Sequence, residues 1–176
     1  MTTAEALFRE ALALHQQGQL AAAAARYEQA LLQEPTLAGA LNNLGACRRA
    51  LGHSQAAIAP LQQAVALHPD FGPAHLGLAQ ALSDVGRLAE AADAYASALS
   101  LMPTLADAWS TYAALLTRLG RLEAAENACR RALALRPDHA EALSNLGNIE
   151  KELGRFQQAV ATQRRALARK PASPEI

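Results

Sequence analysis

Small apolar residues return along this chain at one fixed interval. Ala11, Gly45, Ala79, Ala113 and Gly147 form a first series, Ala23, Ala57, Ala91, Ala125 and Ala159 a second, and Ala30, Ala64, Ala98, Ala132 and Ala166 a third. Successive members of each stand 34 residues apart, the length of one helix-turn-helix unit. The second and third series are two helical turns apart, so they share one face of one helix. The first falls on an earlier helix of the same unit. The pattern predicts two antiparallel helices per unit, A and B, meeting across small residues that permit a short interaxial distance. Larger apolar residues flank these contacts, with Leu44, Leu78, Tyr112 and Leu146 on helix A and Leu31, Val65, Leu99, Leu133 and Leu167 on helix B. They supply a continuous core.

Turn residues keep the same beat. Gly18, Gly52, Gly86, Gly120 and Gly154 fall between A and B, where a residue without Cβ takes the left-handed conformation that ends a helix. Pro35, Pro69, Pro103, Pro137 and Pro171 close the units. The repeats are therefore 4–37, 38–71, 72–105, 106–139 and 140–173, one domain over 4–173. Thr2, Thr36, Asp70, Thr104 and Asp138 stand where each helix A needs a cap, and Thr2 with Glu5 and Asp138 with Glu141 have the spacing of capping boxes. Pro73 suits a first helical turn. Pro60 conflicts with its place inside helix B of the second repeat, where a kink is expected on an outer face. Ser173-Pro174-Glu175 reads as a helix start, so residues 174–176 open a truncated or capping helix, and the native chain or assembly is expected to continue past Ile176. An uncovered terminal repeat would favour self-association.

Composition narrows the function without naming it. Aromatics make up 4% and alanine and leucine dominate, which favours an all-α fold over sheets. Sixteen basic residues balance sixteen acidic ones, so nothing here attracts nucleic acid or an anionic membrane. No apolar run reaches the ~18 residues of a membrane span, and no basic leader precedes an apolar stretch. A cytoplasmic protein is expected. Cys47 and Cys129 lack C-x-x-C spacing and read as buried small hydrophobes.

The repeated small residue, turn glycine, paired alanines and closing proline resemble the tetratricopeptide repeat family across residues 4–173. The family's usual tryptophan is Trp109 in the fourth repeat and Leu7, Leu41, His75 and Leu143 in the others. The resemblance implies an α-solenoid of five hairpins, a right-handed superhelix whose helices A line a concave groove for an extended peptide or a partner helix. Asn42-Asn43-Leu44-Gly45 and Ser144-Asn145-Leu146-Gly147 are also similar to segments of the repeat region of O-linked N-acetylglucosamine transferases. That second resemblance implies a substrate-recruiting arm whose catalytic domain lies outside this chain; the corresponding residues Arg9, Gly77 and Thr111 break its asparagine ladder.

Candidate chemistry is thin. Nucleotide, dinucleotide, zinc-protease and hydrolase motifs are absent from the sequence, so no catalytic residue, metal site or cofactor is expected. His15, His53, His68, His75 and His139 fall at scattered places and read as turn or surface residues. Arg130-Arg131 and Arg164-Arg165 lie near Glu123, Glu126 and Glu150 in sequence and read as solvated helix faces. The stripe of helix A left after packing carries Asn42, Asn43, Arg49, Gln80, Thr111, Arg118, Asn145 and Asn148, which are the expected groove residues. Asparagine both donates to and accepts from peptide backbone, so the stripe points to a protein-interaction scaffold, with Asn43 and Asn145 facing the groove and not the core.

Overall fold

A computed structural model describes residues 2–169. All the elements among them are α-helices, ten in number, with no strand. They fall into two compact units. The first, Met1–Leu101, holds α1 (Thr3–Gln16), α2 (Leu20–Gln33), α3 (Ala38–Ala50), α4 (Ser54–Leu67), α5 (Gly72–Asp84) and α6 (Leu88–Leu101). The second, Met102–Ile176, holds α7 (Ala106–Arg118), α8 (Leu122–Leu135), α9 (Ala140–Glu152) and α10 (Phe156–Arg169). Odd-numbered helices are helices A of the repeat and even-numbered ones helices B. The helix start expected at Ser173-Pro174-Glu175, with Pro171, lies outside the described residues.

Each A helix pairs with its own B helix, and B packs in turn on the next A within each unit. The glycine turns explain the pairing. Gly18, Gly52, Gly86, Gly120 and Gly154 have φ of 75, 81, 80, 72 and 74°. The residue after each glycine returns its N–H to a carbonyl in the last turn of helix A, as in Gln19 to Leu14 at 2.9 Å and Arg87 to Leu82 at 2.9 Å. Orphan carbonyls of the helix end are thereby satisfied while the chain reverses.

The small residues of helix A make room for larger side chains of helix B and not for its alanines alone, since Leu61 stands against Gly45 and Gln163 against Gly147. Ala11, Ala23, Tyr27, Ala40, Leu44 and Cys47 belong to one buried cluster, with Phe8, Leu20 and Leu31 packed on it. Gly45 has no alternative beside Leu61, because a Cβ there would overlap the leucine Cγ. Each large apolar side chain buried this way contributes about 1.5–3 kcal/mol. Leu167 departs from the expected core and is 66% exposed.

Three expectations are corrected. The helices A of repeats two to four begin one residue later than the capping pattern suggested. Their N-caps are Leu37, Phe71 and Leu105, with no side-chain cap hydrogen bond. Only Thr2 forms its capping box, whereas α9 is capped by His139, whose ring accepts from the N–H of Ala142. His139 is thus a buried structural residue and not a surface one. Glu126 and Glu150 are also buried, at 6% and 7% exposure, instead of lying on a solvated face.

Pro60 is the third correction, because it is buried within a helix that runs unbroken from Ser54 to Leu67. Proline cannot donate to the carbonyl four residues earlier, that of Ala56. The guanidinium of Arg48 donates there instead, at 2.9 Å. The same Arg48 donates to Glu28 at 2.8 Å, so one side chain mends α4 and ties α3 to α2.

Candidate functional site

Of the expected groove residues Thr111, Arg118 and Asn148 are exposed, whereas Asn42, Asn43, Arg49, Gln80 and Asn145 are half-buried. In the first unit Asn42 donates to Oδ1 of Asn43 at 3.1 Å, and Asn43 donates to the hydroxyl of Tyr27 at 3.2 Å. Tyr27 is fully buried, and burial raises its pKa above the ordinary 10.0 while the Asn43 bond works in the opposite direction. Asn43 is half-buried and serves the core as well as the surface. Arg49 stands 3.5 Å from Asp84, which also accepts from Ser54 at 2.8 Å, and Gln80 is half-buried on the neighbouring helix.

In the second unit the structure brings two of the expected residues into one cleft. Thr111 and Asn145 line a hollow of about 310 Å³ between α7 and α9, together with Ser110, Ala114, Ala140, Glu141 and Ser144. Asn145 donates to the backbone oxygen of Ser110 at 3.2 Å and stands 3.4 Å from its hydroxyl. Thr111 returns its hydroxyl to the carbonyl of Asp107 at 3.0 Å. Arg118 and Asn148 are exposed outside the cleft, and Asn148 accepts from Gln163 at 3.1 Å. The cleft floor was missed in the sequence because Ser110, Ala140 and Ser144 look like ordinary helix-packing residues. Their only signal is size: small side chains leave main chain within reach of a ligand.

A charged cluster at Asp107 stands one helical turn before Thr111. Arg136 makes a bidentate pair with Asp107 at 2.9 and 3.1 Å, which holds the Asp107 carboxyl below the usual carboxylate range. Nε2 of His139 lies 3.0 Å from the same carboxylate, at ionic distance but without hydrogen-bond alignment. Glu141 is exposed at the cleft.

A second polar cluster of this unit faces inward. Oε1 of the buried Glu126 accepts from Arg130 and from Arg155, each at 2.7 Å, while Oε2 of Glu150 is buried without a partner. Cys129 is fully buried nearby, and burial first, then the two glutamates, push its thiol up to about 12. Both cysteines are free and buried. Among the described residues no group of histidine, cysteine and acidic side chains could hold a metal ion, and no helix is long and apolar enough to cross a membrane.

Hairpins of this length, turn and small-residue contact define a helical repeat protein. Models of the tetratricopeptide repeat family match residues 8–70, 48–113 and 104–172, and the chain belongs to that family. No curated protein sequence matches the chain. Solved structures share its fold at low identity. A crystal structure of MamA protein aligns with a TM-score of 0.88 and 22% identity, covering 96% of this chain and 92% of that one. MamA 41-end from Desulfovibrio magneticus RS-1 aligns with a TM-score of 0.88 and 16% identity, covering 99% of both chains. YrrB, described as a TPR protein with an unusual peptide-binding site, aligns with a TM-score of 0.87 and 20% identity, covering 94% and 86%. The fold is accordingly the all-α solenoid of these proteins.

Proposed function

We propose that the chain is a protein-interaction scaffold that receives an extended peptide on the exposed faces of its helices A, with the cleft between α7 and α9 as its best-formed contact. One observation carries this reading: polar side chains stand over a floor of alanine and serine in an open hollow of about 310 Å³. Small residues let a ligand backbone approach, and the amide of Asn145 is already oriented by its bonds to Ser110. An oriented amide costs little entropy to use, which favours binding over mere solvation. Peptide recognition by main-chain contacts of this kind is tolerant of ligand sequence. The fold neighbour YrrB, with its peptide-binding site, supports the same reading by analogy of fold.

The transferase-arm reading has less behind it. It leaned on an asparagine ladder that only Asn43 and Asn145 keep, with Arg9, Gly77 and Thr111 at the corresponding places of the other repeats.

Selection of short extended peptides from a displayed random library, followed by titration, tests the proposal. Thr111→Arg with Glu141→Arg fills the cleft mouth from two exposed positions and is expected to abolish binding without shifting Tm. Undiminished affinity in that double variant would remove the α7–α9 cleft from the binding site.

A further inference from the structure

The cleft between α7 and α9 has a hydrogen-bonding polarity. Thr111 spends its hydroxyl proton on the carbonyl of Asp107 at 3.0 Å, so toward a ligand its oxygen accepts. A backbone carbonyl can only accept, and the bond from Asn145 to the Ser110 oxygen at 3.2 Å therefore fixes the amide with its nitrogen turned to Ser110. The 3.4 Å contact with the Ser110 hydroxyl comes from the same nitrogen. What Asn145 has left is its amide oxygen.

The rest of the lining agrees. Glu141 adds a carboxylate, a group of acceptors alone, and Ser144 a hydroxyl of either polarity. Among the described residues no cation lines the cleft. Arg118 stands outside it, Lys151 lines a separate hollow against α10, and Arg136 is committed to Asp107 by two bonds. A carboxylate brought here would meet little but acceptors. The group that suits such a wall has donors and no acceptor.

Apolar surface narrows the choice. Ala114 and Ala140 line the same hollow of about 310 Å³ and offer methyl groups to an aliphatic stem. Arginine joins such a stem to a planar, permanently charged head that only donates. The unit already holds one helix A acid in that way, since Asp107, one repeat before Glu141, is gripped by the two bonds of Arg136. At the place of Arg136 the next repeat has Lys170, outside the described residues, and a lysine head is a point charge without the planar fork.

We propose that the α7–α9 cleft selects an arginine side chain of the bound peptide, its stem over Ala114 and Ala140 and its guanidinium donating to the Glu141 carboxylate and to the oxygens of Thr111 and Asn145. The inference rests on the peptide-binding reading and deepens it: tolerance of ligand sequence ends at the residue that enters the cleft.

The experiment titrates the full chain into four pools of fluorescent heptapeptides, N-acetylated and C-amidated. Their central residue is arginine, citrulline, norleucine or glutamate, and the other positions are randomised over neutral residues. Blocked ends keep a terminal amine or carboxylate from standing in for the side chain, and citrulline keeps the shape of arginine without its charge. Anisotropy is expected to show the arginine pool bound about threefold or more tighter than the citrulline pool at low salt, a gap that narrows as salt rises, with the glutamate pool weakest. In Glu141→Gln the gap should close while the norleucine pool binds as before. Glu141 also stands in the first turn of α9, where its charge favours the helix, but losing that support would weaken all four pools alike. An arginine gap that is absent, or that survives Glu141→Gln, would overturn the inference and leave the peptide site standing. Failure of every pool to bind would remove the peptide-binding reading and this inference with it.

Discussion

The guanidinium of Arg48 lies 2.9 Å from the carbonyl oxygen of Ala56, the group that Pro60 leaves without its helical donor. A buried helix proline ordinarily costs ~3 kcal/mol relative to alanine, and a hydrogen bond from a charged donor returns about 1.5–3 kcal/mol of that. Leu14, Leu82 and Leu116 occupy the place of Arg48 in repeats one, three and four, where Arg26, Ala94 and Ala128 occupy that of Pro60.

Arg48→Met should therefore destabilise the chain by about 1–3 kcal/mol in urea unfolding. The same change made on a Pro60→Ala background should cost less, with a coupling of ~0.5 kcal/mol or more. Additive costs would mean that Arg48 acts only through Glu28.

Asn43→Ala is expected to lower stability by about 1–2 kcal/mol, because it removes the partner of the fully buried Tyr27 hydroxyl. For a chain of this length that is a fall in Tm of roughly 2–4 °C per kcal/mol. Tyr27→Phe should erase most of the difference. This revises the expectation that Asn43 faces the groove and not the core.

The Cys129 thiol gives stability an alkaline limit. Its pKa is about 12 folded, against an ordinary 9.0 for the unfolded chain. Below pH 9 both states keep the proton and the thiol contributes no pH dependence. Between 9 and 12 only the unfolded chain ionises, so stability falls as pH rises, by at most about 1.4 kcal/mol per pH unit. Urea midpoints measured from pH 8 to 11 should fall less steeply in Cys129→Ala; parallel slopes would show that the thiol does not drive the loss.

Gly86→Val should cost about 1–3 kcal/mol through backbone strain alone, since φ is 80° and no atom lies within 4 Å of a Cβ built there. Gly86→Asn should cost much less, because asparagine tolerates the left-handed region. Comparable losses in thermal unfolding would place the penalty somewhere other than φ.

The helical hairpins were legible because their cause is local and repeated. Each turn glycine, each small residue at a helix contact and each closing proline acts within one repeat, and the recurrence reinforces the signal. The ends of the helices were less legible. Threonine and aspartate one residue too early looked like caps, yet Leu37, Phe71 and Leu105 took the cap position, where Leu37 and Phe71 pack on buried clusters. Thr111 and Asn145 were readable as surface residues, but the cleft they share depends on Ser110 and Ser144, which are small, and on Ser110 as the acceptor that holds the Asn145 amide.

The amino-acid sequence by itself determined the fold class and the turns, since these follow from spacing and from the conformational range of single residues. Tertiary structure alone decided which polar groups are spent: Arg48 on Ala56, Asn43 on Tyr27, and Arg130 and Arg155 on Glu126. A side chain's partner is set by three-dimensional distance, and these pairs bring together residues as far as 29 positions apart. Burial then converts each such contact from an exchangeable surface bond into one whose loss strands a polar group away from water.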